Sequence, residues 1–247
     1  MRRLPFITTG ALVLTLGLVP AAWAQDEPDP CLLIFGVDAA TILGTAGPDV
    51  IVGTPGPDVI LAGAGDDVVS GGGGDDLICG GPGSDRLDGG GGSDFILGDT
   101  GETFLLGNPA GMNVPGGDDQ LVGGAGDDQL AGEGGADLLR AGDGNDFATG
   151  QMGPDTVMGE AGDDELFGGP ADDVVNGGAG NDVVVGNFGN DTVLGGSGDD
   201  LMTGDNPAPV TPGPSFDVCN GQQGQDFAVE GSCERLNQVE STGPLPE

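Results

Sequence analysis

From Gly44 onward, one apolar residue recurs at every ninth position in two registers, with one break between Leu105 and Leu121. Ile51, Ile60, Val69, Ile78, Leu87, Ile96, Leu105, Leu121, Leu130, Leu139, Ala148, Val157, Leu166, Val175, Val184, Val193 and Met202 hold the eighth place of successive units, with no polar residue among them. The places on either side vary between apolar and polar. Such a triplet predicts a short strand whose middle side chain turns inward. One strand of three residues cannot bury its apolar residue alone, so the units must stack as a repeat array.

The polar pattern keeps the same period. Gly44 to Val52 (GTAGPDVIV) is one unit and Gly53 to Leu61 (GTPGPDVIL) the next; GGGGDDLIC, GGPGSDRLD and GGGGSDFIL carry the array to Leu97. A second block runs from Val114 to Thr203. The sixth place is Asp49, Asp58, Asp67, Asp76, Asp85 and Asp94 in the first block. In the second it is Asp119, Asp128, Asp137, Asp146, Asp155, Asp164, Asp173, Asp182, Asp191 and Asp200. Glycines ahead of each aspartate permit a turn with positive φ, where a Cβ would clash.

Composition sharpens this picture. With 54 glycines and 18 prolines, a chain of 247 residues lacking a period would read as disordered. The period decides for a folded array. Charge adds a constraint: 41 acidic residues face 5 basic ones, all arginine, and there is no histidine, for a net charge of −36. Nucleic acids and anionic membranes are poor partners for such a surface. The compact state also repels itself. With so few internal cations, a metal ion is the expected neutraliser. Absent histidine and scarce cysteine argue against zinc or copper.

These residues resemble the RTX (hemolysin-type) calcium-binding nonapeptide repeat, GGxGxDxUx, from Gly44 to Thr203 with weaker copies to about Val229. The resemblance implies an all-β fold, a right-handed parallel β-roll (β-solenoid) with two nine-residue repeats per coil. It implies Ca²⁺ ions in the turns between coils, held by the sixth-place aspartates and by backbone carbonyls. Aspartates eighteen apart then form two ladders. One is Asp49, Asp67, Asp85, Thr103, Asp128, Asp146, Asp164, Asp182 and Asp200; the other is Asp58, Asp76, Asp94, Asp119, Asp137, Asp155, Asp173 and Asp191. Neighbouring strands lie about 4.8 Å apart, so a bare ladder is a column of repelling carboxylates that a cation turns into ligands. About 10–14 Ca²⁺ ions are expected, each wanting six to eight oxygens. Fifth-place acids (Asp66, Asp75, Asp118, Asp127, Asp163, Asp172, Asp199) either tighten binding electrostatically or are solvated turn residues. Thr103 marks a weakened site, followed by a seven-residue insertion near 107–113; a second, proline-rich insertion runs over Asp205–Pro214.

The ends read differently. Arg2 and Arg3, an apolar run from Phe6 to about Val19 and Ala22-Trp23-Ala24 form a Sec-type secretory signal over 1–24; the run is short for a membrane anchor. The mature chain loses two arginines and no acid, so −36 becomes −38. Residues 25–43 read as a lead-in cap, 44–203 as the roll, and 204–247 as insertion, terminal repeats and C-terminal cap. Four cysteines in an exported chain allow three pairings. The pairing taken here is Cys31–Cys79 with Cys219–Cys233; free thiols are the alternative.

The leading function is therefore a secreted, non-enzymatic calcium-binding module, with periplasmic or cell-surface retention as alternatives. Outward apolar residues at places seven and nine (Val50, Val52, Val59, Leu61, Phe95, Leu97, Phe104, Leu106, Val183, Val185) suit a surface or matrix partner or self-association, an adhesion reading. An enzyme, or an accessory to a polysaccharide-active one, is the third class. Without histidine or lysine, a Ser–His triad, an HExxH zinc site and a Walker loop are all absent.

Overall fold

The computed structural model describes residues 42–99, 116–205, 218–223, 226–229, 233, 235–237 and 241–243. Among them, 21 short strands form two parallel sheets of 11 and 10 strands, and no helix occurs. Consecutive strands fall in alternate sheets, so each pairs with the strand two steps along the chain. Leu138–Asp143 lies between Gln120–Ala125 and Thr156–Ala161, with Leu139 opposite both Leu121 and Val157. Two nine-residue units thus close one coil, and the fold is the parallel β-solenoid that the period demands.

The core is one cluster of inward side chains contributed by both sheets, eighth-place residues joined by Ala62. Ile60, Leu87, Leu139, Val157, Leu166 and Met202 have no exposed surface. Each strand contributes a single side chain of this kind, worth roughly 1.5–3 kcal/mol. That core is thin, and much of the stability must come from the coil-to-coil hydrogen bonds.

The turns explain the glycines. The second and fourth places adopt positive φ, as at Gly63 (115°) and Gly65 (127°). A Cβ on the first-place Gly177 would collide with Asp182 Oδ2 and the Gly195 carbonyl. Ala171, at a fourth place, is held at φ 121° in a region that L-residues avoid.

Two expectations need correction. Leu87 stands opposite Leu121, and Ile96 opposite Leu130. The step is thirty-four residues, so the surplus over eighteen is sixteen, not seven. Asp85 therefore stacks with Asp119 and Asp94 with Asp128, exchanging the ladders after residue 99. Arg86–Gly91 pairs directly with Gln120–Ala125, so the unit carrying Thr103 and Leu105 supplies no rung between them. Residues 100–115 themselves lie outside the described residues. The surplus enters between Asp99 and Gly116, which both lie outside the strands, and lengthening a connection between strands costs little. Val193 likewise stands opposite Cys219, a surplus of eight rather than ten.

The second correction concerns the outward residues. Val50 and Val52 are 80% and 70% exposed, as an outer face requires. Leu61, Leu97 and Val185 are buried despite pointing away from the core.

Candidate metal centre

The sixth-place aspartate follows the glycine turn and precedes the strand. Its backbone carbonyl accepts the first coil-to-coil bond of the next strand, as from Phe147 N–H to Asp128 O at 2.9 Å. Its backbone N–H donates to Oδ1 of the aspartate one coil onward. Asp137 donates to Asp155 and Asp155 to Asp173, both at 2.8 Å. The same bond crosses the first surplus segment, Asp85 to Asp119 and Asp94 to Asp128, at 2.6 Å. It crosses the second from Asp200 to Asp226 at 3.3 Å. Each carboxylate therefore leans back towards the N-terminal coil, fixed by one oxygen.

The second oxygen is the informative one. In Asp67, Asp76, Asp85, Asp94, Asp119, Asp128, Asp137, Asp146, Asp155, Asp164, Asp173, Asp182 and Asp200, Oδ2 is buried with no hydrogen-bond donor among the described residues. Asp49 and Asp58 differ: their Oδ2 atoms accept the N–H of Thr45 and Thr54, each at 2.6 Å. In later units the second place is commonly glycine at positive φ. Its N–H turns to the next coil instead, as from Gly63 to the Gly80 carbonyl at 3.0 Å, and leaves Oδ2 bare.

A buried carboxylate oxygen without a donor is costly in its charged form. Burial accordingly pushes Asp119 up to about 9, helped by the charges of Asp99, Asp137 and Asp85. Asp155 rises to about 8, and Asp85, Asp128, Asp164 and Asp173 to about 7, burial again being the main cause. Only a proton or a cation relieves this arrangement. The donor set is all oxygen, which suits a hard divalent cation such as Ca²⁺. Among the described residues no three acidic or Cys/His side chains group as a metal cage, so main-chain oxygens must complete any coordination shell.

Fifth-place side chains make a second column, exposed and opposite in sense. Ser84 N–H donates back to Asp66 Oδ1 at 3.2 Å, and Asn181 N–H to Asp163 Oδ1 at 2.8 Å. Asn145 receives Asp163 N–H at 2.9 Å, so an amide serves the column as well as a carboxylate. These residues are turn-to-turn fasteners, a role that charge alone did not suggest.

All sixteen predicted aspartates face the turns; Asp49 is half-buried and the other fifteen are buried. Asp226, fully buried, extends one ladder further, and its nine-residue step after Asp217 was the available signal. Asp99 carried no periodic signal. It sits at a second place, 2% exposed, and accepts N–H bonds from Gly117 and Gly134, each at 3.3 Å. Burial raises it to about 7.

At the C-terminal end Cys219 and Cys233 form a disulfide with Cα atoms 6.0 Å apart. Cys79 is also disulfide-bonded. Cys31 and the export signal over 1–24 lie outside the described residues.

A search of curated proteins returned no match to this chain. Among protein families, the RTX calcium-binding nonapeptide repeat matches residues 43–78, 79–105, 116–148, 149–184 and 177–206. Those segments cover most of the chain and contain all sixteen predicted aspartates. With the paired ladders and the solenoid, they make this chain a member of the RTX calcium-binding nonapeptide repeat family.

Proposed function

We propose that this chain is an exported, non-enzymatic protein that folds into its roll on binding Ca²⁺. The ligands are the sixth-place aspartates from Asp49 to Asp200, joined by Asp226. The observation that carries this reading is the set of buried Oδ2 atoms without donors. At neutral pH a metal-free roll would have to bury many such charges, or protonate them, against a thin core. Calcium supplies positive charge where each ladder needs it. The chain's own residues do the rest: backbone N–H groups orient Oδ1, and the first-place glycine leaves room for Oδ2.

Fifteen neighbouring aspartate pairs are joined by the N–H to Oδ1 bond, an upper frame for the 10–14 ions expected. Because ligand binding and ordering coincide, binding energy becomes folding energy. Extracellular calcium modules bind at about 10⁻⁴–10⁻³ M, so export into a calcium-rich medium would trigger folding. A calcium titration followed by circular dichroism tests this. The expected result is a cooperative gain of β signal; a full β signal in calcium-stripped protein at pH 7.5 would refute it.

A further inference from the structure

The two outer faces of the roll are unlike. On the 10-stranded sheet the ninth-place residues Ser70, Asp88, Val122 and Arg140 are all at least partly exposed. On the 11-stranded sheet their counterparts Leu61, Cys79, Leu97 and Ala131 are 7%, 3%, 0% and 2% exposed. These four form an apolar cluster of their own, with Phe95 packed against it. Leu61 stands opposite Cys79, Cys79 opposite Leu97, and Leu97 opposite Ala131, so they make one stripe about 14 Å long. Residues at places eight and nine point to opposite faces of a strand. The roll's own core therefore cannot be what covers this stripe.

A covalent observation names the cover. Cys79, inside the stripe, is disulfide-bonded, and no cysteine is free among the described residues. Cys219 and Cys233 are bonded to each other. Of four cysteines only Cys31 remains. Cys31 opens the run Cys-Leu-Leu-Ile-Phe, which follows the acidic, proline-bearing stretch Gln25–Pro30 and holds the lead-in's longest unbroken run of large apolar residues. Eleven residues separate it from Ile42, a reach of up to about 40 Å. The strands holding Ile42 and Cys79 are two rungs apart, roughly 10 Å.

We propose that residues 31–35 lie on the outer face of the 11-stranded sheet as a clasp. Leu32, Leu33, Ile34 and Phe35 cover Leu61, Leu97 and Ala131, and a Cys31–Cys79 bond ties the clasp down. The clasp staples the first coils together from outside, as the Cys219–Cys233 bond staples the last. The rival cover is residues 100–115, which carry Phe104, Leu105 and Leu106.

The sole tryptophan, Trp23, lies within the export signal over 1–24, so the chain expressed from Gln25 onward is dark and one new indole reports on one place. Phe35→Trp and Phe104→Trp are compared in saturating calcium. The expected result is blue-shifted emission at position 35, with acrylamide quenching at least threefold weaker than at position 104. Leu33→Trp repeats the reading if Phe35→Trp disturbs folding. Peptide mapping without reductant should recover Cys31 linked to Cys79 within a monomer. Cys31→Ser with Cys79→Ser should raise quenching at position 35 while the β signal persists. A solvent-exposed indole at both 33 and 35, a shielded one at 104 alone, or Cys79 linked to a second copy would overturn the clasp.

Discussion

The backbone N–H of Asp85 donates to Oδ1 of Asp119 at 2.6 Å, across thirty-four residues of sequence. Asp94 and Asp128 are joined across the same thirty-four residues, whereas between adjacent units without a surplus the bond spans eighteen, as from Asp137 to Asp155. The ladder therefore passes residues 100–115 without losing a rung. Joining Asp99 directly to Gly116 restores a turn of ordinary length. The deletion of 100–115 should leave calcium stoichiometry and β circular dichroism unchanged within about 10%. A loss of one or two ions on isothermal titration would show instead that the Thr103 unit is a working coil.

Sixth and fifth places should answer differently to the same change. Asp155→Asn keeps an acceptor for Asp137 N–H but replaces the donorless Oδ2 with an amide nitrogen that cannot ligate a cation. Removing a carboxylate ligand should cut the stoichiometry by about one or two and raise the calcium midpoint several-fold. Asp163→Asn places in the outer column a residue type already used there at Asn145 and Asn181. Its midpoint should move by less than about twofold. Equal effects in the two titrations would contradict separate roles for the columns.

Backbone strain gives a prediction of opposite sign. Ala171 sits at φ 121°, where a Cβ costs about 1–3 kcal/mol. Ala171→Gly relieves this and loses about 0.4–1 kcal/mol through the freer unfolded chain. The net gain of about 1 kcal/mol should lift the melting temperature in saturating calcium by roughly 2–4 °C. Gly159→Ala should lower it, because the added Cβ meets Asp164 Oδ2 and the Gly177 carbonyl.

The metal-free chain should respond to acid in an unusual direction. Burial holds Asp119 near 9, Asp155 near 8 and Asp85, Asp128 and Asp164 near 7 in the folded state, against about 3.9 when unfolded. A raised folded pKa means that the roll binds more protons than the unfolded chain. This contribution is fully present below about pH 4 and is lost as pH rises through about 7 to 9. Calcium-stripped protein should then gain β circular dichroism on acidification and lose it on return to pH 8. With calcium present the folded state should persist at pH 8, since the cation replaces the protons. A metal-free chain equally unfolded at pH 4 and pH 8 would count against the buried-carboxylate account.

The amino-acid sequence determined the repeat, the core and the chemistry of the turns. A period of nine with Leu139, Val157 and Val175 at one place and Asp137, Asp155 and Asp173 at another leaves little choice, because strand alternation sends these side chains to defined sides. It did not determine which aspartates become neighbours across a break. Counting residues assigned Asp119 to the ladder of Asp94, whereas strand pairing assigns it to that of Asp85. Register is a property of hydrogen bonds between coils, and residues inserted between two paired strands do not enter the count. The burial of Leu97 was hidden for the same reason: places seven and nine read as outward in every unit, and only packing from outside the coil decides which of them meet water. The donorless Oδ2 atoms were likewise invisible in the sequence, since they depend on a second-place residue at positive φ, glycine in many units but Glu133, Gln151 or Glu160 in others, whose N–H does not turn to the carboxylate.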